Sequence, residues 1–224
     1  KKLRKKNLDL FYKNGFPNKK NEDWKFTDLN FILGKNFNNI ANKDFNSEDK
    51  KLKTLEEFEH NFIHLIDGKL ISNNFDYEDK NKILIKNYNY KNETKLNEQN
   101  SLTLLNNALA AGGFTLEVSK NYKFTKPLVI YNFFSKNLKE SIINNKNSII
   151  LNDKSELTLI NYINYKSKDN FMTNTIDNIV IKKAASLKNI FVNNSRCNGY
   201  FYRYIMSSLE KESACDNYFI STGL

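Results

Sequence analysis

The sequence predicts a mainly β fold behind a partly helical N-terminal region, with the boundary near Gly112, so that residues 1–112 and 113–224 form the two parts. Three observations carry this. Before Gly112 lie two stretches with helical punctuation. After Gly113 apolar and polar residues alternate, the period of a half-buried strand. From there on, short apolar runs are separated by Asn, Lys, Ser and Asp turns at spacings of about a dozen residues or more, with no helical pattern between them. That is the look of a sandwich, a barrel or a β-solenoid, and periodicity alone does not choose among the three.

The elements follow in order. Residues 3–13 read as a short helix with Leu3, Leu10 and Phe11 on one side, stopped by Gly15 and Pro17. Next comes the only tryptophan, in Glu22-Asp23-Trp24-Lys25-Phe26-Thr27-Asp28-Leu29, where Trp24, Phe26 and Leu29 are expected to pack as an anchor. Residues 48–58 suggest a second helix through Leu52, Leu55 and Phe58. The run from Phe62 to Ile71 predicts a hairpin, because Asp67-Gly68 suits a primed turn with positive φ. Residues 76–100 are polar and weakly patterned, and Ser101 is placed to cap a helix over 102–110 that ends at Gly112-Gly113. Strands are then expected at 114–118, 127–131, 148–151, 156–160, 176–181, 187–192, 201–206 and 218–220.

Composition narrows the function classes. The chain has 224 residues, 40% hydrophobic and 13% aromatic, enough to bury a real core. No apolar run approaches the ~18 residues of a membrane helix. The basic start, Lys1 to Lys6, has no apolar run behind it, so no signal peptide is expected. The sequence lacks an initiator Met and reads as starting inside a longer reading frame. The net charge is +10, but only Arg4, Arg196 and Arg203 are arginines. Residues 1–112 carry 20 basic and 16 acidic side chains and residues 113–224 carry 15 and 9, a diffuse lysine excess that reads as a solvated surface. Nucleic-acid binding is therefore not expected, since base and phosphate readers favour the arginine fork.

Candidate chemistry is sparse. His60 and His64, the only histidines, would share a face of a helix, but a strand ending at Asp67-Gly68 holds their rings roughly 13 Å apart, too far for one ion. Cys197 and Cys215 have no nearby histidine and read as inert thiols of a reducing cytosol. Ser207, Ser208 and Ser213 lack an activating base, and no phosphate loop or nucleophile elbow occurs. Around Arg203, the aromatics Tyr200, Phe201, Tyr202 and Tyr204 read as the two faces of one strand.

Gly15-Phe16-Pro17 followed by Glu22-Asp23-Trp24-Lys25-Phe26-Thr27-Asp28-Leu29 resembles the opening of the SufD family of iron–sulfur cluster assembly proteins. Three later stretches agree in the same order: Phe62 to Leu70 with its Asp67-Gly68 turn, Leu105 to Val118 running on to Pro127-Leu128, and Thr173 to Ile181 followed by Ala184 to Val192. The resemblance implies a right-handed parallel β-helix preceded by a small α+β domain that caps it. It implies a non-catalytic scaffold subunit that pairs with SufB and the ATPase SufC. The complex would build the iron–sulfur cluster and SufC would use the ATP, all in the cytoplasm, with no nucleic-acid, membrane or small-molecule partner of this subunit. The family's interface histidine and SufC-docking helices correspond to sequence beyond Leu224, so the chain is expected to be an N-terminal fragment. No catalytic, cofactor-binding or metal residue is carried over, and Cys197 and Cys215 match no family ligand. An open last coil near Tyr218 to Ile220 is expected to self-associate. The other reading is a carbohydrate-active or carbohydrate-binding β-solenoid, which requires Asp153, Asp169, Asp177 and Asp216 to converge.

Overall fold

The computed structural model describes residues 2–29, 33, 39–40, 52–89, 100–135 and 138–222. They form a β-solenoid of about three turns with an N-terminal helix. Helix α1 spans Lys2–Asn14 and α2 spans Ser101–Leu109. Twelve strands are described: β1 Asn39–Ile40, β2 Asn61–Ile66, β3 Lys69–Asn74, β4 Ile83–Asn87, β5 Phe114–Val118, β6 Leu128–Phe133, β7 Ser141–Leu151, β8 Glu156–Ile163, β9 Lys166–Ile181, β10 Ser186–Asn193, β11 Arg196–Leu209 and β12 Ala214–Ser221. Sheet A runs β11-β9-β7-β5-β4 with β1 on β7, and sheet B runs β12-β10-β8-β6-β2-β3.

Each coil crosses sheet A, turns, and returns through sheet B. Inward residues therefore stack on residues 28 or 30 positions away, as Asn161 and Asn189 or Asn147 and Asp177 do. Leu157, Leu187 and Cys215 form one such column. The tight turns stack as well: Lys154, Ala184 and Glu212 hold equivalent positive-φ positions, Lys154 donates its N–H to the Lys183 carbonyl, and Ala184 donates to Lys211. Between the sheets sits the main core, with Phe114, Leu116, Leu128, Leu151, Leu159 and Ile179 fully buried. Each such side chain stabilises the fold by about 1.5–3 kcal/mol relative to exposure.

The first coil is closed by antiparallel strands. β3 pairs with β2 at the edge of sheet B, and β4 pairs with β5 at the edge of sheet A. Residues 61–87, on the N-terminal side of the Gly112 boundary, thus belong to the same two sheets as the later coils. The hairpin turn takes positive φ at both Asp67 (49°) and Gly68 (76°), as its sequence requires.

Helix α2 lies on the outer face of sheet A, and α1 packs on α2. Phe11 of α1 packs on Leu104 and Leu105 of α2, and Arg4 closes the end of α2 by donating Nε to the Ala108 carbonyl at 2.6 Å and Nη2 to Ala110 at 2.8 Å. Asn106 of α2 donates its amide to the Asn145 and Asn174 carbonyls, tying the helix to β7 and β9.

Several expectations are corrected. Residues 52–58 are irregular, not helical; their path is fixed by Leu55 N–H donating to the Tyr131 hydroxyl, and residues 48–51 lie outside the described set. Asn100, not Ser101, caps α2, its Oδ1 accepting from Leu102 N–H at 2.9 Å. Phe26 is 90% exposed and takes no part in the anchor, because the turn after Trp24 aims it at solvent beneath Lys25. Strand β4 arises in the stretch read as unpatterned, since Ile83 and Ile85 face the core while Leu84 faces out. Strands β7 and β9 begin seven and ten residues earlier than their apolar runs, because asparagine ladders satisfy their polar halves.

Candidate functional site

Two places gather groups that lie far apart in the sequence. The first is inside the solenoid. Arg203 of β11 points inward, donates Nε to Asp177 Oδ2 at 2.5 Å and Nη2 to Asn161 Oδ1 at 3.0 Å, and lies 4.3 Å from the Phe191 ring centre. Asp177, 2% exposed, accepts from Asn147 Nδ2 at its other oxygen. The seam continues across sheet B, Asn161 donating to Asn189 and Asn189 to Asn217. The charges are held in the interior because each oxygen of the carboxylate has a donor, the condition a buried pair must meet. The parallel register does the positioning, since Thr175 of β9 sits beside Arg203 and Asn145 of β7 beside Thr175. Next to this column the sheets part around a cavity of about 360 Å³, with Phe134, Phe191, Phe201 and Phe219 on its walls.

The second place is the outer face of sheet B. The Tyr131 hydroxyl accepts from Leu55 N–H and is 2.7 Å from His60 Nε2, so the tyrosine donates there and His60 carries its proton on Nδ1, which donates to the Phe58 carbonyl. His64 meets Tyr131 from the other side and its Nδ1 lies 3.0 Å from Ser72 Oγ. Burial, and then the neighbouring His60, hold the His64 imidazole below its ordinary value. Tyr131 is itself pushed up by burial. The pair is thus tied into an aromatic cluster rather than presented to an ion.

The other candidates are placed as follows. Cys197 packs near Phe171 and Phe134, and Cys215 faces the main core from β12. Among the described residues no three His, Cys, Asp or Glu side chains gather as a metal site. Tyr202 faces out and Phe201 and Arg203 face in, the two faces of one strand. Asp153 pairs with Lys120 at an exposed turn, Asp216 is exposed on β12, and Asp177 is interior; these three do not converge, and the Asp169 side chain lies outside the described set. The Arg203–Asp177 contact, 26 positions apart, escapes local sequence reading; the recurrence of coil turns at Lys154, Ala184 and Glu212 is the signal that could align the two strands.

The opening motif also has a location. Glu22–Trp24 forms a single 3-10 turn, and Trp24 packs over sheet A with Leu29, Leu102, Ile142 and Met172, its ring centre 5.9 Å from that of Tyr202. A scan against protein-family models finds no match for this chain, and a search of curated proteins finds none either.

Proposed function

We propose that this chain is part of a non-catalytic scaffold subunit of a SufD-like kind, which pairs with SufB-like and SufC-like companions in iron–sulfur cluster assembly. The observation that carries the reading is that its separate likeness-bearing segments meet in space. Phe16 of the opening motif packs in one cluster with Leu105 of α2, and Asn106 of α2 donates to the Asn174 carbonyl of β9. Gly68 of the hairpin and the double glycine Gly112-Gly113 both close on β7 at Asn145 and Lys146. Four stretches spread over the sequence thus serve one architecture, as members of one family would use them. Support also comes from where the polar groups are used: Arg203, Asp177 and the asparagine ladders bond one another within the solenoid. In this reading the cluster is the cargo of the complex, and ATP belongs to the SufC-like companion. No helix among the described residues is long and apolar enough to cross a membrane.

The test is complementation. The protein, expressed from its complete reading frame in cells lacking SufD, is expected to restore iron–sulfur enzyme activity under iron limitation. Failure to do so, at an expression level matching a working control, would remove the reading.

A further inference from the structure

We propose that the cavity beside Arg203 binds a small aromatic carboxylate. The site does not depend on the scaffold reading. Its size, about 360 Å³, lies within the range of small-molecule pockets, and its walls are mainly apolar with a few convergent polar groups.

The polar groups are arranged in one line. Asn145, Thr175 and Arg203 are register partners on three successive strands. Strands lie ~4.8 Å apart, so the two ends of this line are about 10 Å apart. At one end Arg203 has committed Nε to Asp177 and Nη2 to Asn161, and its Nη1 donates to no described residue. Asp177 is already satisfied at both oxygens, so the free edge of the guanidinium is open to a second carboxylate. At the other end Asn145, 6% exposed, lays its side-chain amide against Gly68 and Gly112 and closes the line. Between them the Thr175 hydroxyl bonds to no described residue and is available to either end of a ligand.

The walls select the body of the ligand. Phe191 and Phe219 are stacked at 4.8 Å with an angle of 9° between their planes, and Phe134 and Phe201 lie 5.9 Å apart. The stacked pair leaves no slot between its own faces, so a flat ring lies alongside these phenyl groups and gains burial and edge contacts with them. A benzoate matches this: carboxylate toward Arg203, ring beside the phenylalanines.

The probe is 4-hydroxybenzoate, titrated calorimetrically into the protein expressed from its complete reading frame. Saturable 1:1 binding is expected. 4-Hydroxybenzyl alcohol, which lacks the carboxylate, should bind at least about tenfold more weakly, as loss of a charge-assisted bond requires. Thr175→Trp fills the cavity and should abolish binding. Thr175→Val keeps the volume, removes the hydroxyl and should weaken binding severalfold, which preserves the test if the tryptophan variant does not fold. Absence of saturable binding, equal affinity for acid and alcohol, or full binding by a folded Thr175→Trp protein would each overturn the proposal.

Discussion

Arg203 and Asp177 form an ion pair in the interior of the solenoid, across neighbouring strands, with the carboxylate 2% and the arginine side chain 19% exposed. Taking away one partner strands the other charge. Arg203→Met is expected to cost about 3–5 kcal/mol in urea unfolding. Asp177→Asn combined with Arg203→Met should recover a large part of that loss, since no charge then remains inside. If the double variant is as unstable as the single one, the pair is not what holds this layer.

Gly113 has φ of +126°, and a Cβ there would sit 1.8 Å from the Lys146 carbonyl oxygen. The backbone cannot yield, because Lys146 N–H donates to Gly112 O in the same contact. Gly113→Ala should therefore cost about 3 kcal/mol or more. Gly15, at φ +67° with open space around it, is the control: Gly15→Ala should cost only about 1 kcal/mol. Thermal melts of the two variants decide the matter, and similar shifts would contradict the close approach at Gly113.

Stability should fall in mild acid through His64. Burial, then the neighbouring His60, keep its folded-state value below 6.5. The unfolded chain takes up that proton first, so the contribution is complete above about pH 6.5 and is lost as pH falls from there through the lower folded value. Glu78 adds a second window below 4.5. Burial would raise its carboxyl, but donors from Tyr122, Lys126, Thr125 and Asn61 outweigh this and lower it, so its contribution is present above 4.5 and lost as pH falls through the folded value. Melting temperature against pH should show both steps, and His64→Phe should flatten the upper one. A wild-type curve flat from neutral pH to about pH 5 would sink this prediction.

Trp24 reports on the docking of the opening motif. Its ring meets Tyr202, whose hydroxyl also accepts from Asn100 Nδ2 at 3.2 Å. Unfolding followed by the single tryptophan should coincide with unfolding followed by far-ultraviolet dichroism of the strands. Tyr202→Ala should shift Trp24 emission to the red and cost about 1–3 kcal/mol. A tryptophan transition that precedes the strand transition in the wild type would mean the motif is not joined to the solenoid.

What the sequence reveals and conceals follows from the same physics. Asp67-Gly68 and Gly112-Gly113 are legible because positive φ and close backbone approach leave few alternatives to glycine. Strands β8 and β10 are legible because Leu157, Leu159 and Leu187 alternate with outward polar residues. The parts of β7 and β9 ahead of their apolar runs are not, since their inward positions carry Asn145, Asn147, Thr173 and Thr175, polar groups that become tolerable only after the coils have stacked. The coil repeat is blurred too: its turns at Lys154, Ala184 and Glu212 use positive φ without glycine, and the Leu157 column ends on Cys215. The cavity beside Arg203 depends on register between strands, which no local pattern encodes.

The most direct measurement of the scaffold role is native mass spectrometry of the protein, expressed from its complete reading frame together with SufB-like and SufC-like subunits. The expected result is one stable assembly containing all three kinds of chain. Recovery of this chain alone, with the SufB-like and SufC-like subunits assembled without it, would contradict that role.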